Sequence, residues 1–303
     1  MSVASRRFSA LIQLLRIGPV MSWGVSALAL GVGVAVARSG TSLSYTNGFL
    51  ALALVVLAQG FVSHGLNDAY DWLTGTDKES IGKGTGGSRV IPQGKLSVIG
   101  TIGVALIALA GVIAIGGYFH QQYGRPILVL LGVAVWSPVA YSVPPLKLGY
   151  RPFNELVVVL PALAGVVVGT DLVLVGSLSP VAAATGVLHA LFCISWFIVS
   201  RVPDYRPDKR VGKVTSVVYI GRENAGLLAA GYLALGLAVA AALAVTVSPV
   251  YLLAGGGWAW LMLGLSRLDT YDAENASEVR RRNMHSTTAH GILLAALLAV
   301  AGV

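Results

Sequence analysis

Residues 48–77 read GFLALALVVLAQGFVSHGLNDAYDWLTGTD. The first nineteen carry no formal charge and are mostly apolar, close to the roughly 20 residues that a helix needs to cross bilayer hydrocarbon. The run leads directly into Asn67-Asp68-Ala69-Tyr70-Asp71, with Asp77 six residues further on. If the helix continues through this motif, Asp68 and Asp71 share a face at i, i+3, and Asn67 and Asp71 are neighbours at i, i+4. Like charges so placed repel, and near a bilayer they cost more unless a cation neutralises them. An apolar span that ends in paired carboxylates therefore sets both the fold class and the place to look for chemistry.

Outward from this stretch the same pattern repeats. The chain has 303 residues, 55% hydrophobic and 11% charged, against about 25% charged in an ordinary soluble domain. Mean hydropathy is +0.77. These values exclude a disordered chain, a nucleic-acid-binding domain and a normal cytosolic enzyme, and they define an all-α polytopic membrane bundle. Gly supplies 37 residues, well above the usual ~7%, as suits close helix–helix approach in a membrane. Nine spans are predicted, near 17–37, 48–66, 97–118, 125–144, 155–176, 181–200, 225–246, 249–267 and 287–303, forming one domain over 1–303. The first span is long and lacks a small-residue cleavage site, so it does not read as a cleaved signal peptide. Nineteen of the 21 Lys and Arg residues fall on one side of this topology, and only Arg38 and Arg125 fall on the other. By the positive-inside rule, the N-terminus and the basic loops are expected in the cytoplasm and the C-terminus outside. The formal charge of +8 thus points to lipid headgroups or an anionic substrate rather than nucleic acid. The single Cys193 excludes an internal disulfide.

The carboxylates are as uneven as the cations. Six of the 13 lie in two clusters: Asp68, Asp71, Asp77 and Glu79 after the second span, Asp204 and Asp208 after the sixth. Pro203 and Pro207 argue against one unbroken helix through the second cluster. Mg²⁺ suits such a set, because it takes oxygen ligands and bridges one or two carboxylates to substrate phosphates. The two loops also resemble each other: Asp77-Lys78 followed by Gly82-Lys83-x-Thr85 parallels Asp208-Lys209 followed by Gly212-Lys213-x-Thr215. This suggests two related sites facing one cavity. A third loop carries Lys147, between prolines and a glycine, with Arg151. Acids, metal and basic side chains together fit a leaving diphosphate. Gly84, Gly86 and Gly87 suggest a mobile loop over phosphate, without P-loop spacing.

At these residues the sequence resembles the UbiA superfamily of intramembrane prenyltransferases. Asn67-Asp68-x-x-Asp71 with the wider spacing to Asp77, then Gly149-Tyr150-Arg151 and Glu155, is similar to the menaquinone branch, which prenylates 1,4-dihydroxy-2-naphthoate. Asn154 departs from the glycine expected before that Glu. The resemblance implies a nine-helix bundle in the cell membrane. It implies that Asn67, Asp68, Asp71 and Asp77 hold Mg²⁺ and one side of a polyprenyl diphosphate, with Asp204 and Asp208 on the other. Lys147, Arg89 and Lys209 would contact phosphate oxygens, and Asp71, Asp204, Lys147 and Tyr141 would serve the reaction directly. Ionisation would leave an allylic carbocation for an electron-rich aromatic acceptor to attack, with the tail extending between helices towards membrane lipid.

The remaining polar residues have plainer readings. Tyr141 is placed to offer a π face to a cation, whereas Trp136, Trp196 and Phe192 read as packing or interfacial anchors. His64 reads as a hydrogen-bonded packing residue and His290 as structural at the opening of the ninth span. Asp171 is expected to reach water at the outer end of the fifth span, and Arg16 to anchor in headgroups. Lys95, Arg280, Arg281 and Arg282 read as topological charge, and the Asn275-Ala276-Ser277 sequon as unused. The acidic motifs serve ionisation equally in a terpene cyclase or in transfer to a glycerol-phosphate lipid. A transporter is disfavoured, because its carboxylates belong at mid-membrane in broken helices.

Overall fold

Several of the apolar runs begin at a side chain able to cap a helix. In the computed structural model, which describes residues 3–78 and 86–302, the Ser44, Ser97 and Ser179 hydroxyls accept hydrogen bonds from the amides of Asn47, Gly100 and Ala182. Such caps satisfy amides that a helix start leaves without partners. The ends are closed by Gly40, Gly75, Gly124 and Gly176, all at positive φ.

The resulting order is an N-terminal helix α1 (Val3–Leu15), then α2 (Ile17–Ser39), α3 (Tyr45–Thr74), α4 (Val98–Tyr123), α5 (Arg125–Ser142), α6 (Glu155–Val175) and α7 (Pro180–Ser200). Two short helices follow, α8 (Tyr205–Arg210) and α9 (Ser216–Ile220), and then α10 (Arg222–Thr246), α11 (Pro249–Leu265) and α12 (Ala273–Ala301). No strand occurs among the described residues. Eight of these helices are long and apolar enough to cross a membrane, and α11, in the place of the eighth predicted span, is shorter.

Helix α7 is the axis of the bundle, packed against α6, α10, α12 and α2. Its Phe192, Ile194 and Ile198 are sealed in the main core with Leu233 of α10 and Leu294 of α12. Backbones meet where glycine removes the side chain. A Cβ on Gly33 would lie 2.5 Å from the Ala295 carbonyl of α12, and one on Gly186 would lie 2.8 Å from Ala164 Cα of α6. The outward surface is apolar, with Ile99, Ile107, Val245 and Val300 largely exposed. Such a surface is stable only against lipid or another apolar phase.

Two expectations need correction. Helix α12 begins at Ala273 rather than near 287, because Asp272 caps it through the amides of Glu274 and Asn275. Arg280, Arg281 and Arg282 therefore ride on the helix, and His290 lies in its body. Asp171 does not reach water: it is fully buried and bonded to Arg38 of α2. Trp136 is partly exposed on α5, in keeping with the anchor reading.

Candidate active site

Helix α3 does run through the first motif, so the Asn67 amide donates to Asp71 Oδ2 at 3.0 Å. One residue of this motif is claimed by the loop beyond: Asp68, 3% exposed, accepts from the Ser88 amide at 3.0 Å and from the Ser88 hydroxyl. Arg16, at the left-handed bend between α1 and α2 (φ 52°), brings its guanidinium within 3.9 Å of the other Asp68 oxygen. Arg16 is thus at the site, not a headgroup anchor. Gly87 (φ 66°) passes between Asp68 and Asp77, where a Cβ would collide with the Asp68 carboxylate and lie 3.0 Å from Asp77 Oδ2.

The second motif arrives from α8. Pro203 ends the approach, Asp204 stands before the first turn, and the Asp208 amide donates to the Asp204 carbonyl at 2.8 Å. Beyond α8, Gly212 (φ 74°) turns the chain so that the Lys213 amide meets the Asp208 carbonyl at 2.9 Å. The Lys213 ammonium then lies 3.0 Å from Asp71 Oδ2 and 3.7 Å from Asp208 Oδ1. One lysine therefore joins the two motifs. Tyr150 completes the junction: its hydroxyl donates to Asp71 Oδ1 at 2.7 Å, and its ring lies 4.9 Å from the Lys213 ammonium.

Carboxylate charge is in surplus here. Burial, reinforced by the Asp71 and Asp68 charges, pushes the Asp77 carboxyl up to about 8. Burial and then Asp208 carry Asp204 to about 7. Asp208 is also raised, chiefly by burial. Burial alone would lower the Lys213 ammonium, but the Asp71 and Asp208 charges outweigh it and hold the proton on more firmly than usual. Burial with the Asp71 charge lifts the Tyr150 phenol to about 12, so it remains a donor at neutral pH. One buried oxygen each of Asp68, Asp204 and Asp208 has no hydrogen-bond partner, an expensive state for a carboxylate. Among the described residues, no three His, Cys, Asp or Glu side chains converge closely enough to cage a metal ion by themselves.

Below the acids, a cavity of about 290 Å³ runs into the bundle. Arg16, Asn67, Tyr141 and Arg280 stand at its polar end, and Phe119, Ile127 and Val173 line the far end. One stripe of α3, from Asn67 through His64, Ala58 and Leu54 to Ala51, forms a wall, which at 1.5 Å per residue is about 24 Å long. Trp23, Trp196 and Phe197 form an aromatic group beside it, with ring centroids 5.2 and 5.0 Å apart and near-perpendicular planes. Behind the polar end Arg201 donates to the Tyr141 hydroxyl at 2.8 Å and to Asn154 Oδ1 at 3.2 Å. Glu155, fully buried, accepts from Ser216 and Tyr232.

The six Asp and Asn residues singled out in the sequence thus gather at one end of the bundle, and Tyr141 and His64 line the cavity. The expected phosphate-binding cations do not gather there. Lys147 lies 5.0 Å over the Tyr150 ring and lines a separate shallow groove with Pro145, Arg151 and Val214. Lys209 is exposed over the Tyr205 ring at 5.7 Å. Arg89 follows Ser88 in the loop with positive φ. Phe192 packs against His290 rather than the cavity. Glu79, Lys83, Gly84 and Thr85, and with them half of the loop-to-loop similarity, lie outside the described residues. Among the described residues, the cations that meet the acids or the cavity include Lys213, Arg16 and Arg280. In the sequence Lys213 is marked by the repeat of Gly212-Lys213 and by its place after Asp204-x-x-x-Asp208.

A helical bundle of membrane-crossing length, with an acidic cluster bonded to Asn67 and Arg16 at the polar end of a long apolar cavity, suits a ligand with a charged head and an apolar tail. The sequence profile of the UbiA prenyltransferase family matches residues 25–302, and the chain belongs to that family: it is an integral membrane prenyltransferase. Among solved structures, a UbiA homologue from Archaeoglobus fulgidus bound to GPP and Mg²⁺ superposes with a TM-score of 0.71 at 17% identity, over 96% of this chain and 99% of that one. A UbiA homologue from Aeropyrum pernix K1 gives 0.62 at 17% identity, over 92% and 97%. A digeranylgeranylglyceryl phosphate synthase gives 0.61 at 15%, over 95% and 98%. At these identities the likeness establishes the fold. Among curated proteins no sequence match is found.

Proposed function

We propose that this enzyme transfers a polyprenyl group from an allylic diphosphate, with Mg²⁺, to an aromatic quinone precursor such as 1,4-dihydroxy-2-naphthoate. The observation that carries the ionisation step is the meeting of both Asp motifs on Lys213, next to Asn67 and Arg16, which line the polar end of an apolar cavity. The homologue from Archaeoglobus fulgidus bound to GPP and Mg²⁺ has the same fold. The residues present suit Mg²⁺: three buried carboxylate oxygens accept no hydrogen bond, and burial works against the charge on Asp77, Asp204 and Asp208. That no three of them form a cage agrees with the habit of Mg²⁺ of using one or two carboxylates plus phosphate oxygens and water. Asn67, Asp68, Asp71 and Asp77 would hold it from one side, Asp204 and Asp208 from the other. When bound, it supplies positive charge to the departing diphosphate oxygens.

The protein's own groups do the rest. Lys213, Arg16 and Arg280 supply fixed positive charge near the headgroup. Cleavage of the allylic C–O bond sends the electron pair to diphosphate and leaves a carbocation in the cavity. Trp23, Trp196 and Tyr141 offer π faces to it, and the apolar walls exclude water that would quench it. A ring carbon of the acceptor then forms the new C–C bond and loses its substituent, a proton or, for the naphthoate, CO₂. The many basic residues at this end support a cytoplasmic position for the site.

Product analysis by mass spectrometry tests this. Enzyme in lipid nanodiscs receives Mg²⁺ and geranylgeranyl diphosphate, with and without 1,4-dihydroxy-2-naphthoate. A Mg²⁺-dependent prenylated naphthalene is expected. A hydrocarbon or alcohol made equally well without acceptor would replace transfer with cyclisation. Product only when a glycerol-phosphate lipid is supplied would overturn the aromatic acceptor.

A further inference from the structure

The two acidic motifs approach each other inside the protein, and buried carboxylates of one sign do not pack together without a counter-charge. Asp71 is already fully engaged. Its Oδ1 accepts from Tyr150 at 2.7 Å, and its Oδ2 from Asn67 and from Lys213, both at 3.0 Å. Tyr150 is itself tied to Thr74 at 2.5 Å, and Asn67 sits one turn away on the same helix, so neither moves readily. Lys213 is different: its ammonium is carried on a flexible four-carbon stem, while its backbone is pinned by Asp208 and by the Thr215 cap of α9. Among the described residues it is also the lysine that reaches both motifs. Lys78, Lys147 and Lys209 lie over the rings of Trp72, Tyr150 and Tyr205 instead.

We infer that Lys213 is a resident counter-cation. In the substrate-free enzyme its ammonium stands between Asp71 and Asp208 and holds the two motifs together. When Mg²⁺ and a prenyl diphosphate arrive together it yields the carboxylates and pairs with phosphate oxygens. The inference rests on reading the acids as the Mg²⁺–diphosphate site. Two consequences distinguish it from a simple phosphate contact. Mg²⁺ alone competes with a tethered ammonium and binds poorly, whereas diphosphate gives the ammonium a new partner and so raises Mg²⁺ affinity. Removing the ammonium makes the fold's stability dependent on Mg²⁺.

The test uses the full chain in nanodiscs and reads thermal stability in EDTA and in Mg²⁺, together with calorimetric titration of Mg²⁺ without substrate. Lys213→Met is expected to lose stability in EDTA, to recover it in Mg²⁺, and to bind Mg²⁺ alone at least tenfold more tightly than the unaltered enzyme. Lys213→Arg, which keeps the charge, is expected to remain as stable in EDTA as the parent. The double variant Lys213→Met with Asp208→Asn removes a cation and an anion together. It is expected to regain metal-free stability even if Lys213→Met alone cannot be purified. Unchanged Mg²⁺ affinity in Lys213→Met overturns the inference, as does a double variant that still needs Mg²⁺ to fold. The site reading is checked separately by Asp71→Asn: if that variant binds Mg²⁺ and prenyl diphosphate together as the parent does, the site assignment itself fails.

Discussion

Asp71 accepts three hydrogen bonds from three separate stretches of chain, and its orientation is therefore a tertiary property. Tyr150→Phe removes the bond to Oδ1 while keeping the ring under Lys213. Losing one donor to a buried charged acceptor costs about 1.5–3 kcal/mol, so turnover is expected to fall by roughly 10- to 100-fold. The apparent Mg²⁺ requirement should rise, and the melting temperature should fall by a few degrees; steady-state kinetics against Mg²⁺ and a thermal melt check both. Asp71→Asn and Asp204→Asn remove charge from the two motifs and are expected to lower turnover on the order of 100-fold or more, with the helical circular dichroism intact. Full activity in either purified variant would remove that residue from the mechanism. Gly87→Ala should act through a neighbour. Its φ of 66° disfavours a side chain by about 1–2 kcal/mol, and the added methyl would meet Asp68. Weaker prenyl diphosphate binding is the expected outcome, measured by calorimetry with and without Mg²⁺.

At the scale of elements, α3 does two jobs with one stripe: its last turn presents Asn67 and Asp71, and the same face continues as the cavity wall. That continuity was legible from the i, i+4 spacing, which requires only that the helix not stop at the first charge. The start of α12 was not legible by hydropathy, because Arg280, Arg281 and Arg282 read as loop while the Asp272 cap commits the backbone to helix upstream of them. At the other end of the bundle, Arg38 of α2 and Asp171 of α6 form a pair in which Asp171 is fully buried. Arg38→Ala would leave that carboxylate unpaired, at a cost of about 3–5 kcal/mol. A marked drop in melting temperature is expected, together with relief in the double variant Arg38→Ala with Asp171→Asn. If the single variant melts like the parent, the pair does not hold α2 to α6.

For the molecule as a whole, the cavity links a charged mouth to an apolar floor, so headgroup chemistry and tail length are read at opposite ends. Phe119 stands at that floor and is nearly sealed. Phe119→Ala would deepen the cavity, and the expected result is a shift of kcat/KM towards longer allylic diphosphates, with little change in Mg²⁺ dependence. Competition between donors of increasing length, read by mass spectrometry, checks this; an unchanged length preference would place the tail elsewhere.

The sequence by itself determined that the chain is a helical membrane bundle and that two sets of acids end two of its spans. Both follow from local physics: about twenty apolar residues must be helical in lipid to satisfy their backbone, and 3.6-residue periodicity puts Asn67 beside Asp71. Which cations meet those acids was decided by tertiary structure alone. Lys147 looked as suitable as any, but its loop carries it to the outside of Tyr150 and away from the acids. The turn at Gly212 instead carries Lys213 into the space between Asp71 and Asp208, 142 residues apart along the chain for the Lys213–Asp71 pair. Arg16 and Arg280 reach the cavity because α1 bends into α2 and α12 starts early. Charge pattern fixes the side of the bundle on which a cation lies, but a 3 Å contact depends on how helices far apart in sequence pack, and no local rule encodes that.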